Sequence, residues 1–228
     1  MSRPKKRRRV QENSPVDAGD LEEILASGAK ELGILLTEKQ IKQFMDYLAL
    51  LSKWGAVYSL TGILEPGNMV RRHLLDSLTV APALKERKRL VDVGSGAGLP
   101  GIVLAVMYPE MQVYLIEATR KKSAFLSEVK AQLGLKNVRV ITERVEKWRD
   151  ASGFDAIISR AFSDLSRFVD VTTHLLGKGG AFYAMKGALP ETEMDGLPAG
   201  LKVKEVIPLK VPFLDVRRHL LVMEKFGD

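Results

Sequence analysis

The chain has 228 residues and a mass of 25.3 kDa, with 46% apolar and 28% charged residues, proportions that exclude a fibrous or wholly disordered protein. It contains no cysteine, which excludes disulfides, Cys-ligated zinc or iron–sulfur centres and a thiolate nucleophile. No apolar run reaches the length of about 18 residues that a membrane span needs, no apolar stretch follows the basic start as a secretory signal requires, and the cytoplasm is the expected compartment.

The net charge is +7, and Arg3, Lys5, Lys6, Arg7, Arg8 and Arg9 supply six of those charges, leaving +1 for residues 10–228. Residues 1–19 are basic, then polar with Pro15 and Gly19. Such a segment cannot supply a core and reads as a disordered basic tail. A block of this kind suits nucleic-acid binding or nuclear import, or is simply a solvated arm.

Asp20 with Glu23 has the form of a capping box, with Leu21, Ile24, Leu25 and Leu32 following it. Thr37 with Gln40 forms a second one, before Ile41, Phe44, Met45, Leu48 and Leu51 at helical spacing. A third helix is expected over 67–80, ahead of Pro82. Residues 20–87 thus form an N-terminal helical extension. From residue 88 the pattern changes to short β runs between helices. Strands are predicted at Leu90–Val93, Gln112–Ile116, Val138–Ile141, Phe154–Ile158 and Gly180–Met185. Helices are predicted at Leu99–Met107, Lys121–Leu133 and Asp164–Leu176. Strands alternating with helices of this length predict a doubly wound, mostly parallel sheet over 88–228. Two last segments, Leu201–Leu209 and His219–Lys225, are joined only by Lys210–Arg217, a connection suited to an antiparallel hairpin.

The strongest chemical signal is Asp92-Val93-Gly94-Ser95-Gly96-Ala97-Gly98-Leu99-Pro100-Gly101, a strand end, a glycine loop and a helix start. Glycines let the backbone approach a ligand closely, and the carboxyl end of the first strand is where such sheets bind cofactors. The third glycine comes one residue earlier than in the dinucleotide fingerprint G-x-G-x-x-G. The resulting G-x-G-x-G looks like the first motif of S-adenosyl-L-methionine (SAM)-dependent methyltransferases. Glu117 ends the second predicted strand, where an acid accepts hydrogen bonds from a ribose diol. That reading supports a nucleoside cofactor without choosing between NAD and SAM.

Absences narrow the acceptor. Pyrimidine C5 methylation needs a cysteine. Exocyclic amines are usually held by an Asn/Asp-Pro-Pro-Tyr loop after the fourth strand, where this chain has Ser159-Arg160-Ala161-Phe162. A ring nitrogen with a free lone pair, such as guanine N7, needs only positioning and the exclusion of water. Other features have plainer readings beside the functional ones. His73 and Asp76 share one helical face at i, i+3, for a buried hydrogen bond or an active-site role. Trp54 and Tyr58 at i, i+4 suit packing of the extension more than base stacking. Arg120, Lys121 and Lys122 open a helix, where cations oppose the dipole and an anionic partner is favoured. Arg217–Arg218 suits either a solvated sheet edge or an RNA contact.

From Leu51 to about Val222 the chain resembles the bacterial small-subunit ribosomal RNA guanine-N7 methyltransferase G family, also called GidB. The matching segments are Leu51-Ser52-Lys53-Trp54 with Tyr58-Ser59-Leu60-Thr61, Arg72-His73-Leu74-Leu75-Asp76-Ser77-Leu78, the glycine loop, Arg144-Val145-Glu146, Ser159-Arg160-Ala161-Phe162, Met185-Lys186-Gly187 and Arg218-His219-Leu220. Gly55 and Ser59 depart from the asparagines usual in the family. The resemblance implies a Rossmann-like class I SAM-dependent methyltransferase fold, mostly parallel with an antiparallel last strand. It implies SAM as cofactor, no metal, and methyl transfer to N7 of a guanine in small-subunit (16S) ribosomal RNA, the RNA or the ribosomal subunit being the partner of a monomeric enzyme. The rival readings are a SAM-dependent methyltransferase of another RNA or a small molecule, and a non-catalytic RNA-binding protein that retains SAM. The implied cofactor site comprises Gly94, Ser95, Gly96, Gly98 and Leu99 toward the methionine end, Glu117, Ala118 and Thr119 at the ribose, Val145 and Glu146 at the adenine, and Arg160. Arg160 is also the implied catalytic residue, and Arg144, Lys186, Arg218 and His219 are implied RNA contacts.

Overall fold

The computed structural model describes residues 18–160, 162, 164–189 and 191–226. It holds one seven-stranded sheet in the order β3-β2-β1-β4-β5-β7-β6. The strands are β1 (Arg89–Val93), β2 (Gln112–Ile116), β3 (Val138–Ile141), β4 (Phe154–Ser159), β5 (Leu176–Lys186), β6 (Leu201–Pro208) and β7 (His219–Lys225). The first five pair in parallel. β7 lies antiparallel to both β5 and β6, as its short connection to β6 requires. The antiparallel strand is thus the last one in sequence, but it lies inside the sheet and β6 takes the edge.

The helices are α1 (Ala18–Glu31), α2 (Glu38–Tyr58), α3 (Pro66–Met69), α4 (Asp76–Leu78), α5 (Ala81–Leu84), α6 (Gly101–Met107), α7 (Arg120–Gln132), α8 (Leu165–Thr172) and α9 (Glu191–Asp195), with a π-helical segment at Val70–Leu75 between α3 and α4. The basic block of residues 3–9 lies outside the described residues, whereas Ala18 and Gly19, expected in the tail, open α1. Asp20 therefore sits in the first turn of α1 and not at its cap, where its charge still complements the helix dipole. The second capping box forms as expected, the Thr37 hydroxyl accepting from the Gln40 backbone while Gln40 accepts from the Thr37 backbone. The helix expected over 67–80 is broken by the π segment, which inserts an extra residue into its turn. α6 starts at Gly101, after Leu99 and Pro100 have completed the turn from the glycine loop. α8 begins after its cap, Asp164, and passes through a 3-10 turn into β5 at Leu176, which shortens the expected helix and lengthens the strand.

The helices of the extension and one face of the sheet share a single core. Phe44, Tyr47 and Leu51 are buried in the same cluster as Leu90, Ile102, Phe125 and Leu220. The other face packs β4, β5 and β7 against α8 through Ile157, Phe168, Val169 and Met223. α2 is fastened by polar bonds as well as by apolar packing. Tyr47 Oη donates to the Ala97 carbonyl at 2.9 Å, and Gln43 Nε2 donates to the Leu133 carbonyl at 2.8 Å. Trp54 packs on Phe125 and Tyr58 at 5.8 and 5.3 Å between ring centroids, so the Trp54–Tyr58 pair joins the extension to α7. Lys121 lies over the Tyr58 ring.

α2 closes on Ser59, which holds a left-handed conformation at φ 50 and donates its N–H to the Gly55 carbonyl. A side chain with a Cβ is strained there, and asparagine tolerates the conformation better than serine. Ser59→Asn should therefore recover up to about 1 kcal/mol of that cost. Thermal and urea unfolding check this, with a higher midpoint expected at an unchanged m-value.

Candidate functional site

The strand order reverses between β1 and β4, because the chain winds outward from β1 to β3 and then returns to start β4 on the other side. Crossover helices on the two sides of such a reversal diverge and leave a crevice beyond the strand ends. The Ser159 hydroxyl pins the two strand ends together by donating to the Val93 carbonyl at 2.8 Å. The segments after both strands thus enter the same space, one beginning at Gly94 and the other at Arg160.

The glycine loop after β1 is held from the β2 side. The N–H groups of Gly94 and Ser95 donate to the Ile116 carbonyl, and Gly96 N–H donates to Glu117 Oε2 at 3.1 Å. Gly94, Gly96 and Gly98 all have positive φ. At Gly98 a Cβ would come within 2.6 Å of Ile102 and 2.8 Å of Leu126, so glycine is needed there for both conformation and space. Glu117 is buried, and its other oxygen accepts from the Thr119 N–H at 2.8 Å. Two backbone donors aim this carboxylate while each oxygen keeps a further acceptor position. The cleft beside it is lined by Val93, Gly94, Ile116, Glu117, Ala118, Glu143, Arg144, Val145, Glu146 and Phe162.

A second cavity, of about 350 Å³, has Arg160 in its lining. It is lined by Ile63, Arg72, His73, Asp76, Arg160, Met185, Lys186, Gly187 and Arg218. Asp76 is buried and receives both arginines, Arg160 Nη1 at 3.3 Å and Arg218 Nε at 2.8 Å. Lys186 Nζ lies 2.7 Å from Glu193 on α9, and Glu193 also accepts the Leu165 N–H at the start of α8. His73 does not bond Asp76, although i, i+3 spacing brought the two to one face. Its Nε2 meets Thr61 Oγ1 at 2.8 Å instead. Burial, aided by the nearby Arg160 charge, pushes the His73 pKa down to about 4, so this imidazole is neutral at pH 7.

The expected residues therefore divide between two sites. Gly94, Glu117, Ala118, Val145 and Glu146 line the cleft, and Gly96 and Thr119 orient Glu117. Ser95 does not present its hydroxyl there, because the group is buried and donates to the Ile116 carbonyl. Leu99 is buried in the main core, and Gly98 packs on α6 and α7. Arg160 lines the second cavity with Lys186 and Arg218. Arg144 lines the cleft instead of standing with those cations. His219 Nδ1 lies 3.0 Å from the Gly187 carbonyl, at the start of β7. Ala161 lies outside the described residues.

The sequence reading has Asp92 and Phe162 only as members of motifs, without a site role, and does not pair Asp76 with the two arginines. Asp92 is buried at the end of β1. Oδ2 accepts the Gly101 N–H at 2.9 Å, and Oδ1 has no partner. Burial raises its pKa to about 7 despite the opposing Gly101 bond and the Arg160 charge. An acid directly ahead of the glycine loop was a visible signal, but its burial was not. Among the described residues no group of three or more His, Cys, Asp or Glu is placed to hold a metal ion, and no helix is long and apolar enough to cross a membrane.

A family model described as rRNA small subunit methyltransferase G matches residues 40–221. The ribosomal RNA small subunit methyltransferase G of Janthinobacterium sp. (strain Marseille) is 50% identical over 206 residues, which cover 89% of this chain and 94% of that protein. The protein of that name from Herminiimonas arsenicoxydans is 51% identical over 213 residues, 92% of this chain and 98% of its own length. Among solved structures, a SAM-dependent methyltransferase from Aquifex aeolicus superposes with a TM-score of 0.53 at 19% identity, covering 68% of this chain and 92% of that one. This last likeness is one of fold.

The raised pKa of Asp92 has a consequence for stability. Between its ordinary value of 3.8 and about 7, the unfolded chain releases the proton and the folded chain keeps it. The contribution of Asp92 to stability is therefore fully present at low pH and is lost as pH rises through that window. Asp92→Asn removes this dependence. Urea unfolding of both proteins at several pH values should show the variant gaining on the wild type from about pH 4 to 7, with a constant difference above that. Parallel curves throughout would contradict the assignment.

Proposed function

The chain belongs to the rRNA small subunit methyltransferase G family, and on that premise we propose that it transfers a methyl group from S-adenosyl-L-methionine to N7 of a guanine in 16S ribosomal RNA, as a cytoplasmic monomer. The observation that carries the reading is the meeting of two unlike sites at the ends of β1 and β4, a glycine-loop cleft with an oriented acid and a cavity rich in cations.

The cleft fits the cofactor. Glu117 is aimed by two backbone donors and has acceptor capacity left for a ribose diol. The glycine loop offers close approach to main chain at Gly94 and Gly96. Val145 and Phe162 supply apolar walls for the adenine end. When bound, SAM supplies a methyl on a cationic sulfonium, which a ring nitrogen lone pair accepts without a base.

The residues of the chain then have to bind, orient and dehydrate. The guanidinium of Arg160 is no base, and His73, with its pKa lowered to about 4 and its Nε2 engaged by Thr61, is a weak one; a nitrogen with a free lone pair requires none. Proximity in a dry site supplies the rate. In this reading Arg160, which lines the cavity, bonds the guanine edge at O6 or holds a phosphate and leaves N7 free. Its planar fork is a geometry that lysine does not copy. Arg218 and Lys186 face the same cavity and suit the RNA backbone. Arg144, on the rim of the cleft, and His219, beside Gly187, are the remaining RNA contacts in this proposal.

The direct test is tritiated methyl transfer from SAM to small ribosomal subunits lacking the modification, with mapping of the labelled nucleotide. Label at guanine N7 is expected. SAM binding without transfer would favour a non-catalytic RNA-binding protein, and label elsewhere would favour another acceptor. Glu117→Ala removes a charge-assisted acceptor and should weaken SAM binding by about 10- to 100-fold in calorimetry. Arg160→Lys should keep the melting temperature and SAM affinity while losing methyl transfer. A kcat/KM within about threefold of wild type would remove Arg160 from the reacting centre, since a misplaced group costs on the order of a hundredfold.

A further inference from the structure

Arg160 follows β4 and Arg218 precedes β7, yet both guanidiniums end on one carboxylate from the start of α4. The Asp76 side chain is 3% exposed, against 31% for Arg160 and 30% for Arg218. A buried anion thus anchors two half-exposed cations, one on each oxygen. Burying a carboxylate is costly unless it is paired, and here the pairing also gives direction. Arg218 commits Nε to Asp76 and Nη1 to the Arg217 carbonyl, while Arg160 commits Nη1. Both side chains line the same cavity of about 350 Å³.

The two arginines meet at Asp76 but come from different strands, Arg160 from the end of β4 and Arg218 from the start of β7. Arg160 is close enough to Asp92, Tyr47 and His73 for its charge to act on all three, so it borders the glycine-loop side. Arg218 lies beside Gly187, its Nη1 3.6 Å from where a Cβ on that residue would stand. The cavity matches one nucleotide in size and excludes a duplex, as a site for chemistry on an extruded base does. Among its described lining residues Arg72, Arg160, Lys186 and Arg218 stand with one acid, Asp76; Glu193 pairs Lys186, and the cations still outnumber these two acids, which suits a phosphate.

We propose that Asp76 is a positioning residue for methyl transfer, holding Arg160 toward the base and Arg218 toward the phosphate of a single extruded guanine nucleotide in this cavity. The proposal rests on the function proposed above. It also accounts for charge. N7 methylation leaves the base cationic, and without the carboxylate two guanidiniums would face that charge uncompensated. Asp76 touches neither substrate nor cofactor in this role and acts through the arginines.

The test uses the full chain and single-turnover transfer to small subunits lacking the modification, beside SAM calorimetry and melting temperature. Asp76→Asn keeps the volume, removes the charge and turns an amide N–H toward one guanidinium. Its kcat should fall about 10- to 100-fold, with SAM affinity and melting temperature retained. Arg218→Gln should raise the KM for subunits, and in that background Asp76→Asn should cost clearly less than in the wild type, because one arm of the clamp is already gone. A kcat within threefold of wild type for Asp76→Asn, or equal costs in the two backgrounds, overturns the proposal. If Asp76→Asn does not fold, Asp76→Glu takes its place. It keeps the charge and displaces both guanidiniums by a methylene, so lowered kcat at retained melting temperature supports the clamp and wild-type kcat overturns it. A wild-type chain that binds SAM but methylates no subunit removes the function reading and this proposal together, which separates that failure from an unchanged Asp76→Asn.

Discussion

The reversal of strand order between β1 and β4 is the constraint from which the rest follows. Parallel strands need crossovers, and crossovers that wind outward in opposite directions cannot cover the space between the two innermost strands. The chain fills part of that space with the glycine loop and leaves the remainder open to ligands. The Ser159–Val93 bond keeps the two strand ends in fixed relation. Glu117 then reaches the loop from β2, and Arg160 reaches the cavity from β4. The Ser159–Val93 contact would not exist if the strands were ordered in sequence, because β1 and β4 would then not be neighbours.

Three buried acids stand within this region, and surroundings give each a different character. Glu117 accepts from two backbone N–H groups and faces a cleft. Asp76 takes a guanidinium on each oxygen. Asp92 has one backbone bond and one bare oxygen, and burial pushes its pKa to about 7. The same functional group thus stands as a cleft-facing carboxylate aimed by backbone, a clamp for cations and a buried acid. Arg160 links two of these zones, since it bonds Asp76 and its charge acts on Asp92.

The helical extension acts on this centre from outside the sheet. Tyr47 holds the carbonyl of Ala97 in the middle of the glycine loop, and the π segment places His73 and Asp76 beside the cavity. A regular helix through Val70–Leu78 would have stacked His73 over Asp76 on one face. The inserted residue instead sends His73 to Thr61 and leaves Asp76 to the arginines.

Much of this was legible in the sequence. The alternation of short apolar runs and amphipathic segments specified a doubly wound sheet, because a strand has a period of two and a helix one of 3.6, and only those periods bury their apolar residues. The glycine spacing and Glu117 marked the cleft after β1, since positive φ and an acid at a strand end are local requirements written at fixed offsets. Thr37 and Gln40 announced the start of α2 in the same local way. What the linear chain did not carry was the convergence of Asp76, Arg160 and Arg218, which are separated by 84 and 142 positions from the shared acid. Nor did it carry the burial of Ser95 and Leu99. Local propensity depends on near neighbours, but ion pairing and burial depend on which distant segments the sheet order brings together, and that order was decided only by the tertiary packing.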